Sequence, residues 1–223
     1  MKLLCIGCLH GKITRKLIDR LKKEEFDYVL CLGDLANGDQ TRKLMFRYWD
    51  FLTSIYDLEI IIGKNKLDKI IESEIKSMMP SVKFLKKLNK KVFSVHGNND
   101  YLRENIKLKR LKSLEDIIKK SNIKLIRTGC LKIKDMNIVG DSGLKCYNPK
   151  KLNRVFLKTK NPRIFITHAP AYTYFDVVKA KESPKYMQHV GEKSYLKMIK
   201  KYKPILHVSS HMHEHQGKKK LGK

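Results

Sequence analysis

Five short fragments between Cys8 and His213 carry side chains of the kinds that bind metal ions. They are Cys8-Leu9-His10, Gly33-Asp34, Gly97-Asn98-Asn99-Asp100, Thr167-His168-Ala169-Pro170 and His211-Met212-His213. The candidate donors are one thiol, one carboxylate, one amide and four imidazoles, namely Cys8, His10, Asp34, Asn98, His168, His211 and His213. This set is large enough to hold two divalent cations, because thiolate, imidazole and carboxylate groups are the usual protein ligands of such ions.

Each fragment alone has an ordinary structural explanation. A free Cys at the end of an apolar strand is usually a small buried hydrophobic residue. A Gly-Asp pair or a Gly-Asn-Asn-Asp run is usually a turn. What carries weight is their joint occurrence, because every fragment directly follows a segment that reads as a buried strand.

The apolar pattern predicts the elements that must position these fragments. Strands are predicted at 2–7, 27–32, 91–95, 123–127, 163–167 and 205–209, with a hairpin over 130–140 around Lys134-Asp135. Helices are predicted at 12–23 and 192–202, and a capping box of Ser113 and Asp116 opens a short helix that ends at Lys120. Residues 41–90 read as a long helical region, interrupted near 60–63 and at Pro80.

Strands that alternate with helices, followed by a strand-rich second half, predict a layered α/β protein. We expect a single domain over residues 1–223, with 41–90 as a mainly helical excursion within it. In α/β sheets, functional groups gather on the loops just past the carboxyl ends of the strands. All five fragments occupy that position, so we expect them to meet.

The net charge of +27 suits a phosphate-bearing substrate or a nucleic acid. However, the basic residues comprise 40 Lys and only 9 Arg, and Arg is the residue preferred for bidentate phosphate recognition. General Lys-rich composition therefore explains the charge at least as well. The sequence has no apolar run of about 20 residues, which predicts no membrane association. Its five irregularly spaced Cys residues predict no disulfide framework and a cytoplasmic location.

Taken together, the fragments resemble the motifs of the calcineurin-like metallophosphoesterases: Asp-x-His, Gly-Asp, Gly-Asn-x-Asp/Glu in which x is His or another residue, a lone His, and Gly-His-x-His. The resemblance covers nearly the whole chain and implies a four-layer αββα sandwich. A narrower resemblance, to the Icc-related predicted phosphoesterases, depends on Gly97 to Tyr101, His168-Ala169-Pro170, His189-Val190-Gly191 and Ser209 to Glu214.

The resemblance also implies a ligand set. Cys8, His10 and His213 would hold one cation, Asn98, His168 and His211 would hold the other, and Asp34 would bridge them. The cations would be Mn, Fe or Zn, and the hydroxide that they activate would hydrolyse a phosphodiester or nucleotide-like substrate.

Three positions depart from the family pattern. Cys8 stands where Asp is usual, and a thiolate favours Zn or Fe over Mg. Asn99 stands where many members have a His that assists the leaving group, so we assign Asn99 only a substrate contact. Ser210 replaces a Gly before the final His pair. Related proteins also continue past the segment around Gly217 into a further strand, so we expect the C-terminal strand to be missing. Two explanations stay open: an exposed sheet edge that pairs with a partner, or a sequence that is a fragment or part of a split gene.

Two other functions remain open. A catalytically weak or inactive scaffold or binding protein on the same fold would explain Cys8 and Asn99, although the four family histidines argue against it. A nuclease would explain the positive charge, and nucleic acid is therefore a possible partner alongside a small phosphate ester or nucleotide. Metal content separates the first alternative from an enzyme, and salt-dependent binding to DNA or RNA tests the second.

Overall fold

The computed structural model describes residues 1–52, 54–106 and 111–220, which form two four-stranded sheets with helices on their outer faces. The strands are β1 (Leu3–Ile6), β2 (Tyr28–Cys31), β3 (Lys91–Ser94), β4 (Ile123–Leu125), β5 (Thr128–Ile133), β6 (Met136–Asp141), β7 (Arg163–Thr167) and β8 (Leu206–Val208). The α-helices are α1 (Arg15–Leu21), α2 (Asp39–Arg47), α3 (Leu58–Ile62), α4 (Lys64–Lys87), α5 (Leu114–Ile118), α6 (Pro149–Lys158) and α7 (Lys193–Tyr202). Short 3-10 turns occur at Trp49–Phe51, Ile55–Asp57 and Arg103–Asn105.

The first sheet has the strand order β1-β2-β3-β4, and all its pairs are parallel. Three of the four residues in each of the central strands β2 and β3 are buried, which is typical of a parallel sheet that is covered on both faces. Because the strands are parallel, the loops after β1, β2 and β3 leave the sheet at one edge.

The second sheet has the order β5-β6-β7-β8. Strands β5 and β6 form the predicted antiparallel hairpin, with Ile133 paired to Met136 across Lys134 and Asp135. Strands β6, β7 and β8 are parallel. All five residues of β7 are buried, whereas Leu206 in β8, at the end of the strand order, is 44% exposed.

Three apolar clusters hold these layers together. The largest joins one face of the first sheet to α1, α2, α4 and α5. A second joins the second sheet to α6 and α7. The third contains residues of both sheets: Leu30, Leu32, Phe93, Val95, Ile126, Ile133, Ile138, Ile164 and Ile166. The clusters thus order the layers as helices, sheet, sheet and helices, in agreement with the layered α/β prediction.

The helical region over 41–90 differs from the prediction at one of its two interruptions. It does break at Gly63, whose φ of +79° suits a residue without a Cβ. Pro80, in contrast, lies inside the continuous helix α4. An interior proline costs about 3 kcal/mol, but Met78 and Val82, which are buried on either side of Pro80, hold both halves of the helix against the core.

Two further differences concern helices in the flanking layers. Helix α6 was not predicted, although Asn148 caps it by accepting a hydrogen bond from the Lys151 N–H and Pro149 occupies its first turn. The capping box of Ser113 and Asp116 is present as predicted, but α5 ends at Ile118. No helix within 1–52, 54–106 and 111–220 has both the length and the apolar character that crossing a membrane requires.

Candidate metal centre

The candidate donors lie on loops that leave the two sheets at their carboxyl-terminal edges. Four of the residues adopt left-handed backbone conformations, with φ of +51° at Cys8, +49° at His10, +55° at Asp34 and +69° at His211. Non-glycine residues rarely occupy this region, and such strain often marks functional sites. The backbone here turns sharply so that successive side chains reach one common space.

The first group of donors comprises Cys8, His10 and His213. Their ligand atoms lie within 4.8 Å of one another. Nε2 of His10 is 3.2 Å from Nε2 of His213, and the two rings meet edge to face. These residues come from opposite ends of the chain, so the packing of the two sheets against each other is what brings them together.

The second group comprises Cys8, Asp34 and His168, again within 4.8 Å of one another. Asp34 Oδ2 lies 3.5 Å from His168 Nε2 and 3.9 Å from His10 Nε2. Asn98 joins this group, because its Oδ1 is 3.1 Å from His168 Nε2. Asp34 is therefore near ligands of both groups, as a bridging residue must be, and the Cys8 thiol is shared by both groups as well.

His211 lies beside these groups but belongs to neither three-residue set. Its ring centroid is 5.0 Å from that of His168, and its backbone N–H donates to Cys8 Sγ at 3.4 Å. The preceding Ser210 donates its hydroxyl to the Leu32 carbonyl at 2.8 Å and lies 3.1 Å from His168 Nδ1. The serine that replaces the usual glycine thus ties the last His pair to the loop after β2.

The tautomers of two histidines are fixed by backbone carbonyls. Nδ1 of His10 lies 3.0 Å from the carbonyl oxygen of Ala36, and Nδ1 of His168 lies 2.7 Å from that of Leu32. A carbonyl can only accept, so each Nδ1 must carry the proton and each Nε2 is left with a free lone pair. This arrangement, in which the outer nitrogen is held and the inner one faces the site, is typical of metal-binding histidines.

The other two histidines are also suited to binding cations. Burial lowers the pKa of His211 to about 4, and burial together with the neighbouring His10 lowers the pKa of His213. Both rings therefore disfavour protonation. Two imidazole nitrogens at about 2.0–2.1 Å from one tetrahedral ion are about 3.3 Å apart, which is close to the 3.2 Å between His10 and His213. The donor set fits divalent cations.

The thiol of Cys8 is the unusual member of the set. Burial and the Asp34 carboxylate raise the pKa of Cys8 to about 12, so a thiol with no cation beside it keeps its proton. A thiolate at this position requires a neighbouring positive charge, and a bound divalent cation deprotonates a coordinating thiol. Binding of a divalent cation at Cys8 would therefore release the proton of the thiol.

Asn99 contacts Asp34. Its backbone N–H donates to Asp34 Oδ1 at 2.9 Å, and its side-chain amide donates to Asp34 Oδ2 at 2.8 Å. A Cβ on Gly38 would lie 2.1 Å from Asn99 Oδ1, so only glycine permits this approach. Asn99 orients the central carboxylate, and its expected contact with substrate stays a prediction.

Sequence reasoning gave no role to Asp100, although it quoted the residue within a motif. The Asp100 side chain is buried and accepts hydrogen bonds from four backbone N–H groups, those of Asp34, Leu35, Ala36 and Gly97. Burial and the neighbouring Asp34 raise the pKa of Asp100, and the backbone donors oppose that shift. Asp100 joins the loops after β2 and β3. The signal available in the sequence was a carboxylate at the end of the Gly97-Asn98-Asn99-Asp100 turn, directly after a predicted strand.

The remaining histidines lie outside the donor groups. His207 packs on Phe165 and shares a hydrogen bond with the Thr167 hydroxyl at 2.9 Å. His215 binds the carbonyl of Val177. Burial, with a smaller contribution from the nearby His168, lowers the pKa of His96 to about 4.

His189 is paired with a second carboxylate that the sequence reasoning did not single out. Its Nδ1 is 2.7 Å from Oδ1 of the buried Asp176, whose Oδ2 accepts from the N–H groups of Thr173 and Gly191. The pair closes the loop between β7 and α7. His189 thus has a defined partner in the structure but no contact with the donor groups.

Comparisons with known proteins agree with this geometry. The chain matches the model of the calcineurin-like phosphoesterase family over residues 1–215, and it therefore belongs to that family. A solved crystal structure superposes with a TM-score of 0.69 at 16% identity, over 94% of this chain and 83% of the other. This likeness supports the fold alone. No curated protein sequence matches the chain.

Proposed function

We propose that the chain is a metal-dependent phosphoesterase that hydrolyses a phosphodiester or nucleotide-like ester with the help of two divalent cations. Family membership supports the general class. The observation that carries the finer proposal is the convergence of Cys8, Asp34 and three histidines in two groups of ligand atoms that share the Cys8 thiol.

The proposed ligand set is the one that the family resemblance implies, and the distances within the site support it. Cys8, His10 and His213 hold the first cation. Asn98, His168 and His211 hold the second, and Asp34 lies between the two sets. When bound, two such cations polarise phosphoryl oxygens and make a water molecule nucleophilic at neutral pH. The protein contributes fixed lone pairs, because backbone carbonyls hold the outer nitrogens of His10 and His168.

The leaving group receives no proton from Asn99. An amide is not an acid in the range in which proteins work, and the Asn99 amide is already donated to Asp34. General-acid assistance contributes about 10²–10⁴-fold in enzymes that have it. We therefore expect water to protonate the leaving group, and we expect esters with alkoxide leaving groups, including internucleotide phosphodiesters, to be hydrolysed more slowly than aryl esters.

The thiol at Cys8 sets the choice of metal. Thiolates favour Zn and Fe over Mg, because they are softer ligands than carboxylates. The second set contains amide, carboxylate and imidazole donors, which also accept Mn. We propose that Zn, Fe or Mn occupies the centre and that the first position is the more selective for Zn or Fe.

We also propose that residues 1–223 act as one domain. The helical segment over residues 41–90 contacts the loop before α7, since the Lys185 ammonium lies 5.5 Å from the centre of the Trp49 ring. The helical segment also contacts loops that carry donor residues, since the Gly11 N–H donates to Ser81 Oγ and the Asn37 N–H donates to Ser77 Oγ of α4.

Hydrolysis of bis-p-nitrophenyl phosphate with added Mn, Zn or Fe tests this function. We expect activity that the double variant His211→Ala/His213→Ala lacks and that the matched variant His215→Gln keeps, because His215 lies outside the donor groups. Metal analysis of the purified protein should give close to two equivalents. Release equal to that of the double variant under every metal would refute the catalytic proposal, and absence of bound metal would favour a scaffold.

A further inference from the structure

The positive charge is unevenly distributed between the two halves of the molecule. Residues 142–220 contain 16 Lys and 2 Arg against 4 Asp and Glu, whereas residues 1–141 contain 30 basic and 18 acidic residues. Most of the second half forms the layers around β7 and β8, including helices α6 and α7. Lys-rich composition alone would raise the charge in both halves, so it does not explain this difference.

Helices α6 and α7 together form a basic surface that we call the α6–α7 surface. Neither helix contains an acidic residue, and all their cationic residues are exposed: Lys150, Lys151, Arg154, Lys158, Lys193, Lys197, Lys200 and Lys201. The helices contact each other, since the Tyr202 hydroxyl and the Lys201 ammonium both donate to Asn153 Oδ1. The surface is therefore continuous across both helices and about 15 Å long, at 1.5 Å per residue.

Within residues 1–52, 54–106 and 111–220, none of the eight cations of this surface forms an ion pair with a carboxylate. The ion pairs of Lys and Arg side chains in these residues all lie before β5, such as Arg42 with Asp39 and Lys76 with Glu72. On α7, one open face is lined by Lys193, Lys197, Lys200 and Lys201 beside Leu196. Unneutralised cations on such a face attract a chain of regularly spaced negative charges.

Tyr147 connects this surface to the proposed metal centre. It precedes α6, at the carboxyl edge of the second sheet, and its side chain is 82% exposed. Its ring atom Cε2 and the Nε2 of His96 each lie 3.5 Å from the position that a Cβ on Gly143 would occupy. His96 in turn is two residues before the proposed ligand Asn98, in the loop after β3. An exposed aromatic ring at the start of α6 thus lies beside the loop that carries Asn98.

We propose that the α6–α7 surface and Tyr147 bind single-stranded nucleic acid and lead it to the metal centre. Lys side chains act as point charges on phosphates and need no base sequence. An exposed aromatic ring at the edge of a basic surface stacks on an unpaired base, which a duplex does not offer. Binding to the surface depends on its charges, and the delivery of an internucleotide phosphodiester to the centre rests on the function proposed above.

Binding is measured in EDTA, so that it is independent of hydrolysis. A fluorescent single strand of about twelve nucleotides, as RNA and as DNA, is titrated by anisotropy at increasing NaCl concentrations. We expect the logarithm of the binding constant to fall with the logarithm of salt concentration, with a slope of about −0.7 for each phosphate contact. The RNA and DNA strands should both bind, because the proposed contacts involve phosphates and base faces.

Two matched variants separate the surface from total charge. One variant changes four Lys residues of the α6–α7 surface to Gln: Lys150, Lys151, Lys197 and Lys200. The control changes four exposed Lys residues of α4 to Gln: Lys64, Lys66, Lys69 and Lys83. We expect the first variant to bind at least about tenfold more weakly with a shallower salt slope, and the control to bind within about twofold of wild type. Equal weakening of both variants would overturn the proposal.

Tyr147 is tested by a pair of substitutions. Tyr147→Leu should weaken binding by about fivefold or more, whereas Tyr147→Phe should keep it, because stacking needs the ring and not the hydroxyl. Equal binding of the two variants would refute the stacking role. Vesicles that contain phosphatidylserine are the competing polyanion, and tighter binding to them than to the oligonucleotide would overturn the assignment to nucleic acid. If bis-p-nitrophenyl phosphate is not hydrolysed but these results hold, only the delivery step fails.

Discussion

Replacement of Asp100 should test how the loops of the site are held in place, because it removes no candidate metal ligand. Its Oδ2 accepts from the N–H groups of Asp34 and Gly97 at 2.9 and 2.8 Å. Its Oδ1 accepts from those of Leu35 and Ala36 at 2.7 and 3.3 Å. A single buried carboxylate therefore satisfies four backbone donors on two loops, and it holds the main chain of Asp34 in its left-handed conformation.

The substitution Asp100→Asn keeps the size of the side chain but turns one acceptor oxygen into a donor. Two of the four N–H groups then face an amide NH₂ and lose their partner. A buried donor without a partner costs about 1–3 kcal/mol, so the loss of two partners should lower the free energy of unfolding of Asp100→Asn by about 2–6 kcal/mol. For a chain of this length, 1 kcal/mol corresponds to about 2–4 °C in Tm.

Urea unfolding and calorimetry of the protein without metal measure this loss, with Asp135→Asn as the control at an exposed turn position. Because Asp34 depends on Asp100 for its position, the affinity for the cation should also fall, by about 10–100-fold as for other residues that hold metal ligands. If Asp100→Asn unfolds at the same urea concentration as Asp135→Asn and binds metal equally well, the reasoning from the four hydrogen bonds is wrong.

Three further results follow from other parts of the molecule. Burial lowers the pKa of His207 to about 4 from 6.5, so the unfolded chain binds the extra proton and stability should fall by up to about 3 kcal/mol as the pH drops from 6.5 to 4. His207→Gln should lose less stability over this window in urea titrations, and an unchanged pH dependence would contradict the assignment. Cys8→Asp should shift the metal retained from an equal mixture of Zn and Mn towards Mn, as measured by mass spectrometry, and an unchanged ratio would show that the thiol is not a ligand. Lys134→Gly should stabilise the protein by about 1 kcal/mol, because Lys134 has a φ of +49° in the exposed β5–β6 turn, and a lower Tm would refute this.

Most of the fold was predictable because it depends on local patterns. Apolar runs of four to six residues marked the strands, and the Ser113 capping box marked α5. Pro80 was misjudged because propensity is a local quantity, whereas the packing of α4 on the first sheet is not. Helix α6 was missed although Asn148 and Pro149 signal its start, since the residues before it resemble a loop.

The donor residues were predictable for a different reason. Each follows a strand, and parallel strands deliver their carboxyl ends to one edge, so their meeting required only the strand order to be right. The supporting residues were not predictable in this way. Asp100 and Ser210 act through backbone groups of distant loops, on the Asp34 N–H and the Leu32 carbonyl respectively. A backbone partner cannot be recognised from the sequence, because every residue type except proline has the same N–H and C=O groups.

In the described parts of the chain, four of the ten non-glycine residues with positive φ lie at the site. Cys8, His10, Asp34 and His211 all have positive φ, and a left-handed conformation costs about 1–2 kcal/mol for each non-glycine residue. Glycine would relieve the strain at each position but would supply no ligand. The chain keeps candidate ligands there, and the hydrogen bond that the Asp34 N–H donates to Asp100 offsets part of the strain. Backbone strain of this kind clusters at functional sites, so its presence at these four residues supports the metal centre that we propose.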